Sequence, residues 1–226
     1  MGKRTAAKLY EIEKYNGSIQ PKNSKQSVYV SLLNDLSKNY VFATGPAGTG
    51  KTLLAVEKGI EFFQRKLFDR IVITRPAVSV DEEHGFLPGS LEEKMDPWVR
   101  PILDVFKEHF SKDHIDYLIK SEKIEIAPLA YMRGRTFKYS WIVADEMQNA
   151  TISQMKLLLT RLGDKSKIVV TGDLQQHDQK CLNGLSDFIN KTKDYETSYI
   201  GQIRFSKEDI ERHPAIKEVL EIYGDD

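Results

Sequence analysis

The sequence has a single cysteine, Cys181, and no long run of apolar residues. One cysteine cannot form a disulfide within the chain, which fits a reducing compartment such as the cytoplasm. The longest apolar runs, residues 141–144 among them, are far shorter than the ~20 residues of a membrane-spanning helix. The charged start, residues 1–5, precedes no apolar stretch, so no secretory signal is predicted. We therefore expect a soluble, cytoplasmic protein with no membrane partner.

The chain also lacks an excess of charge of either sign, because 33 Lys and Arg residues balance 33 Asp and Glu residues. This balance gives no support to a wholly basic nucleic-acid binder and leaves only a local basic face for such a role. The 226 residues are 40% hydrophobic, which suits one domain with a sizeable core. Residues 1–20 are predicted to form a polar N-terminal arm, and residues 21–226 a single domain.

From Tyr40 onward, short runs rich in β-branched residues alternate with helical patterns. Residues 52–66 and 152–162 have apolar side chains at helical spacing. Near-continuous apolar strands separated by helices predict an α/β fold with a doubly wound, mostly parallel sheet. Five strands are predicted, at residues 40–44, 70–74, 124–127, 141–144 and 167–171. Residues 76–121 interrupt the alternation and are interpreted as a helical insertion or lid on the sheet.

Residues 45–52 fit the phosphate-loop pattern G-x-x-x-x-G-K-[ST], between a predicted strand and a predicted helix. The glycines allow backbone N–H groups to turn toward a phosphate, and the following helix adds its positive N-terminus. Lys51 would contact the β- and γ-phosphates, and Thr52 would hold Mg²⁺. The flanking strand and helix disfavour a chance glycine-rich turn. The predicted nucleotide-binding residues are Gly45, Pro46, Ala47, Gly48, Thr49, Gly50, Lys51 and Thr52.

Two further predicted strands also end in polar residues. Asp145 and Glu146 follow one of them directly, at the sheet edge where ligands of open α/β folds bind. Asp145 is a candidate Mg²⁺ ligand, and Glu146 a candidate base for the attacking water. The alternative is a helix N-cap with acids in its first turn. Residues 171–176 follow the other strand, where a glutamine could sense the γ-phosphate; the alternative is a plain Gly-Asp turn.

With these strand ends identified, the sequence resembles the PhoH family of ATPases over residues 21–223. The resemblance rests on residues 45–52 (GPAGTGKT), 74–78 (TRPAV), 85–89 (GFLPG), 127–136 (APLAYMRGRT), 145–148 (DEMQ), 171–173 (TGD) and 212–214 (RHP). It implies a P-loop NTPase core similar to the first RecA-like domain of superfamily one helicases, with ATP and Mg²⁺ as cofactors. By this likeness, Gln176 would read the γ-phosphate and Gln26 the adenine, unless Gln26 is a solvated polar side chain. Met147 departs from the family, which usually has a small residue there.

The resemblance also carries an expectation about partners. A two-domain helicase closes its ATP site with arginines from a second RecA-like domain, and no such domain is recognised after the first. We therefore expect either slow hydrolysis or a homo-oligomer, a hexamer being favoured, in which a neighbour supplies an arginine. Arg212, or Arg204 before it, is the candidate, although Arg212 lies far from every predicted strand end. The simpler alternative for Arg212 is a surface residue before a helix.

Three arginines are candidates for contact with RNA or single-stranded nucleic acid. Arg133 and Arg135 lie among aromatic residues, a setting that suits phosphate pairing and base stacking, and Arg75 ends a predicted strand. A structural turn with solvated arginines is the alternative for the first two. The favoured function is Mg²⁺-dependent ATP hydrolysis coupled to oligomer rearrangement or RNA handling. A nucleotide-gated RNA-binding module with little turnover and a small-molecule kinase are the alternatives. The G-D-x-x-Q pattern of residues 172–176, which the resemblance identifies as a helicase motif, argues against the kinase.

Overall fold

The computed structural model describes residues 19–76, 91–175 and 183–223. The strands among them are β1 (Tyr40–Thr44), β2 (Arg70–Arg75), β3 (Ile124–Pro128), β4 (Ser140–Ala144), β5 (Lys167–Gly172) and β6 (Ile200–Arg204). The helices are α1 (Ser24–Asn34), α2 (Lys51–Gln64), α3 (Leu91–Lys107), α4 (Lys112–Lys120), α5 (Ile152–Leu159), α6 (Gly184–Thr192) and α7 (Pro214–Tyr223). All five strand pairings are parallel, and the sheet order is β3-β2-β4-β5-β1-β6. This arrangement confirms the predicted α/β class and the five predicted strands.

The sheet is covered on both faces. Successive side chains of each strand point to opposite sides, and an apolar cluster lies on each side. In β4, Trp141 and Val143 join one apolar cluster, whereas Ile142 joins the other. Helices α1 to α4 contribute to the first cluster and α5 and α6 to the second. All strands run in one direction, so their carboxyl ends share one edge. Each polar segment that follows a strand therefore begins at this edge.

The described part of the predicted insertion belongs to the core. Ile102 and Phe106 of α3 lie in the same buried cluster as Val143 of β4, and Ile115 and Leu118 of α4 join them. The two helices therefore cover one face of the sheet within the connection from β2 to β3. The remainder of the predicted insertion, residues 77–90, and most of the predicted N-terminal arm lie outside the described residues. No helix in the described ranges is long and apolar enough to cross a bilayer.

Helices α1 and α5 differ most from the prediction. Helix α1 was not predicted, although the Asn23 side chain caps it by accepting from the backbone N–H of Gln26. The predicted helix 152–162 ends earlier, at Leu159. The Arg161 carbonyl accepts a hydrogen bond from the Phe137 N–H at 2.9 Å, outside the helix. This bond draws the end of α5 toward the segment that precedes β4.

Lys167, at the start of β5, holds the end of α1 against the sheet. Its side chain is buried, and Nζ donates to the carbonyls of Leu32, Leu33 and Asp35 at 2.8–2.9 Å. Lys167→Met would keep most of the apolar stem but leave these carbonyls without their donor. We expect a loss of about 2–4 kcal/mol in the free energy of unfolding, measured by urea denaturation. The exposed Lys193→Met should change it by less than about 0.5 kcal/mol; equal values for the two variants would contradict the role of Lys167.

The free energy of unfolding should depend on pH differently in the wild type and in Lys167→Met. Burial lowers the pKa of Lys167 to about 8, whereas an unfolded lysine has a pKa of about 10.4. Between these values the unfolded chain binds more protons than the folded chain, so this residue makes the free energy of unfolding rise with pH. The stability difference between the wild type and Lys167→Met should therefore be larger at pH 9.5 than at pH 7.5.

Candidate functional site

The predicted phosphate loop joins β1 to α2 at the carboxyl edge of the sheet. Gly45, Gly48 and Gly50 have φ values of 139°, 82° and 82°, a region that favours glycine. A Cβ built on Gly45 would also lie 2.5 Å from the carbonyl oxygen of Phe205, so no side chain fits there. The Gly45 N–H donates to the Gly172 carbonyl at 3.1 Å, which ties the loop to the end of β5. The local geometry therefore explains why this loop contains glycine.

Lys51, the first residue of α2, reaches back over the loop. Its Nζ donates to the carbonyls of Gly45 and Pro46 at 2.7 and 2.6 Å and lies 3.2 Å from Thr49 Oγ1. Burial lowers the pKa of Lys51, and the nearby carboxylates, of which Asp173 has the largest effect, act in the opposite direction. The ammonium group thus lies beside the backbone that would surround a phosphate, and its contact with the phosphates stays a prediction.

The two predicted metal ligands are in direct contact. Thr52 Oγ1 donates to Asp145 Oδ1 at 2.6 Å, and Thr171 Oγ1 donates to the same oxygen at 2.5 Å. Helix α2 supplies Thr52, and Asp145 follows β4, so two separate strand-end segments build this pair. Hydroxyl and carboxylate oxygens are the ligands that Mg²⁺ prefers. The donor set therefore fits the predicted ion, and Thr171 is a neighbour that the sequence interpretation missed.

Glu146 lies next to this pair and beside a shared cavity. The cavity has a volume of about 270 Å³. Glu146 has φ 53° and ψ 37°, an uncommon backbone conformation for a residue with a side chain. The segments that end β1, β4 and β5 all reach this cavity. Its lining consists of Ala47, Gly48, Gly50, Lys51, Thr52, Leu53, Asp145, Glu146, Gly172 and Asp173.

Gln26, the predicted adenine contact, is hydrogen-bonded to the backbone of the phosphate loop. The side chain is 4% exposed, so the alternative of a solvated glutamine is wrong. Its Nε2 donates to the Thr49 carbonyl at 3.1 Å, and its Oε1 accepts from the Lys22 N–H at 2.7 Å. These bonds brace the phosphate loop against the start of α1, and the contact with adenine stays a prediction.

Arg212 lies beside the phosphate loop of its own chain. The Glu211 N–H donates to the Gly48 carbonyl at 3.0 Å, and a Cβ built on Gly48 would lie 3.4 Å from Arg212 Nε. Asn23, the cap of α1, holds this segment by donating from Nδ2 to Glu211 Oε1 at 2.8 Å. The expectation that Arg212 is far from every strand end was therefore wrong, because the segment after β6 folds back over the loop after β1.

The remaining predicted residues are divided between the described and undescribed parts of the chain. Asp173 lines the cavity, and its Oδ1 accepts from the Gln175 N–H at 2.9 Å. Gln176, the predicted γ-phosphate sensor, lies outside the described residues. Met147, which stands where the family usually has a small residue, is fully buried among apolar side chains. Gln148 contacts Glu146 and was missed, although it belongs to the DEMQ motif.

Comparison with known proteins identifies relatives over almost the whole chain. The family model described as "PhoH-like protein" matches residues 18–224. A PhoH-like protein of Mycobacterium tuberculosis (strain ATCC 25618 / H37Rv) is 43% identical over 209 residues, which are 92% of this chain and 58% of that protein. Protein PhoH of Escherichia coli (strain K12) is 40% identical over 210 residues, 91% of this chain and 58% of that protein. The chain thus spans less than two thirds of the length of these relatives.

Among solved structures, the chain is similar to a Sulfolobus solfataricus SWI2/SNF2 ATPase core determined in complex with dsDNA. The TM-score is 0.47 at 17% identity, and the match covers 86% of this chain and 46% of that chain.

Proposed function

Since this chain belongs to the PhoH-like protein family, we propose that it hydrolyses ATP with Mg²⁺ and couples hydrolysis to RNA or single-stranded nucleic acid. Family membership and the phosphate loop support the coarser statement, a nucleotide-binding, ATPase-like role. The observation that carries the finer proposal of Mg²⁺-dependent hydrolysis is the contact between Thr52 and Asp145, with Lys51 and Glu146 beside the same cavity. A phosphate loop alone would account for binding, whereas an added carboxylate base favours attack by water.

The roles of the chain's residues follow from this arrangement. Backbone N–H groups of the loop and the Lys51 ammonium would hold the β- and γ-phosphates, and Thr52 and Asp145 would hold Mg²⁺, which supplies charge neutralisation when bound. Glu146 would orient a water and accept its proton as the water oxygen bonds to the γ-phosphorus. The bond from that phosphorus to the β,γ-bridging oxygen breaks, which releases ADP and phosphate.

Two arginines and a tyrosine support the proposed contact with nucleic acid. Arg75 ends β2 at the carboxyl edge and is half-exposed, and Tyr131 and Arg133, which follow the adjacent β3, are exposed. Arginine and exposed aromatic side chains suit phosphate pairing and base stacking. Arg135 is engaged elsewhere, because it forms a bidentate ion pair with Glu125 at 2.5 and 2.7 Å. For Arg135, the alternative of a structural role is the better supported one.

We also propose that the protein assembles as a homo-oligomer, with a hexamer as the favoured form. Arg204 ends β6 at the same edge as the candidate site, and its side chain is exposed. It is therefore better placed than Arg212 to extend toward a neighbouring subunit. Sedimentation with and without a non-hydrolysable ATP analogue would measure the assembly state.

Phosphate release tests the proposed function directly. The protein should release phosphate from ATP with Mg²⁺, lose this activity in EDTA, and gain activity when single-stranded RNA is titrated. ATP binding without release at any RNA concentration would replace the ATPase proposal by the nucleotide-gated RNA-binding module. Release without any effect of RNA would remove the coupling and leave the hydrolysis.

Lys51→Ala tests the nucleotide site separately from turnover. It removes the only cation that the phosphate loop itself carries, so the affinity for ATP should fall about 100-fold in calorimetry. Lys193→Ala, at an exposed position outside the site, should bind like the wild type. Undiminished binding by Lys51→Ala would contradict the assignment of this loop.

A further inference from the structure

Gln148 uses both ends of its side-chain amide within the candidate site. Its Nε2 donates to Glu146 Oε2 at 2.5 Å, and its Oε1 accepts from the Asp173 N–H at 3.1 Å. The side chain is only 5% exposed. Because the Asp173 N–H requires an acceptor, the amide oxygen must face it, and the NH₂ group must face Glu146. A carboxylate oxygen is an acceptor that suits this donor, and the contact sets the direction in which the Glu146 carboxylate faces.

The backbone conformation around Glu146 brings Gln148 close to its side chain. Glu146 has the left-handed conformation, and the short 3₁₀ turn of Met147–Asn149 directs the chain back toward it. Uncommon conformations of this kind persist where surrounding contacts hold them, and they are frequent at functional sites. Gly172 leaves room for the glutamine, since a Cβ there would lie 2.8 Å from Gln148 Oε1.

The contact is continuous with the phosphate loop. The Gly172 carbonyl accepts from the Gly45 N–H, and the next residue, Asp173, donates to Gln148. A chain of hydrogen bonds and backbone therefore runs from the phosphate loop, through the end of β5, to the carboxylate of Glu146. Within the described residues, Gln148 is the side chain that joins the end of β5 to the candidate base.

We propose that Gln148 is a positioning residue for hydrolysis, which orients the Glu146 carboxylate and couples it to the phosphate loop through β5. This inference rests on the proposed ATPase function. Gln148 acts on the reaction only through Glu146. Its removal should affect turnover far more than nucleotide binding, because Lys51 and the backbone of the loop stay in place.

Two variants of Gln148 test whether its NH₂ group orients the Glu146 carboxylate or the side chain only fills space. Gln148→Glu is nearly isosteric and keeps an oxygen for the Asp173 N–H, but it replaces the donor to Glu146 by a second carboxylate oxygen. We expect kcat to fall about 30-fold or more while the affinity for ATP changes less than about threefold. Gln148→Met removes the donor without adding a charge, and it should also lower kcat while leaving the affinity for ATP nearly unchanged.

Gln154→Glu is the matched control, with the same change of charge on α5. Gln154 Oε1 accepts from the Thr151 N–H at 2.9 Å in the helix cap, a bond that glutamate preserves. This variant should keep the wild-type kcat and affinity for ATP. The proposal is overturned if Gln148→Glu keeps the wild-type kcat as well, or if both Gln148 variants lose affinity and melting temperature as much as turnover.

A measurement without turnover keeps this proposal separate from the ATPase proposal. In NMR spectra of ¹⁵N-labelled protein, the Gln148 side-chain NH₂ signals, assigned by their loss in Gln148→Met, should be protected from solvent exchange. They should also shift in Glu146→Gln. Exchange as fast as that of an exposed glutamine would overturn the contact itself. A wild type that releases no phosphate, but shows these protected signals, would refute hydrolysis while leaving the link between Gln148 and Glu146.

Discussion

Glu146→Gln is expected to lower the turnover of ATP about 10³-fold while leaving the affinity for ATP nearly unchanged. The substitution keeps the shape of the side chain and removes the ability to accept a proton. The phosphate loop and the contact between Thr52 and Asp145 do not involve Glu146, so the groups that would hold the nucleotide and Mg²⁺ stay in place. A pronounced loss of kcat at constant binding is the signature of a missing base.

Calorimetry with a non-hydrolysable analogue and single-turnover phosphate release measure the two quantities separately. Glu196→Gln is a suitable control, because it makes the same change of charge at an exposed position outside the candidate site. An equal loss of binding and turnover in Glu146→Gln would indicate that the carboxylate supports the backbone and does not act on water. Full activity would assign the base to another residue.

The fold could be predicted largely because its signals are local. Each of the four central strands, β1, β2, β4 and β5, is a short apolar run, because burial on both faces of a parallel sheet leaves little room for polar residues. The phosphate loop is predictable for the same reason, since its glycines and Lys51 lie next to each other in sequence. The pairing of Thr52 with Asp145 follows once the loop before Thr52 and the strand before Asp145 are both assigned to the carboxyl edge of a parallel sheet. The positions of the strands therefore suffice to predict the phosphate loop and the pair formed by Thr52 and Asp145.

Contacts made after the chain folds back could not be predicted. Arg212 reaches the phosphate loop only because the segment after β6 crosses the edge of the sheet, and no local pattern records that path. The amide of Gln148 is recognisable as a link only when Glu146 and Asp173 are both in place. Helix α1 was missed because it buries only Gln26, Tyr29 and Leu33, which make a weak apolar stripe.

Arg212→Ala is expected to lower the turnover of ATP about 10²- to 10³-fold by an effect within its own chain. Its guanidinium group lies beside the loop that would bind the phosphates, where positive charge stabilises the charge that develops during phosphoryl transfer. The bond from the Glu211 N–H to the Gly48 carbonyl fixes the segment at this place. The placement thus favours the chain's own site over the neighbouring site that the sequence suggested.

Mixing experiments distinguish the two arrangements, because Lys51→Ala subunits keep Arg212 and Arg212→Ala subunits keep the loop. If Arg212 acts within its own chain, every subunit in the mixture lacks one required group, and activity stays as low as in either variant alone. If Arg212 acts on a neighbour, some sites combine an intact loop with an intact arginine, and recovered activity would contradict the placement. Arg204→Ala mixed with Lys51→Ala is the parallel test of the exposed arginine at the end of β6. Recovery of activity in that mixture alone would assign the shared arginine to Arg204 and leave Arg212 to its own chain.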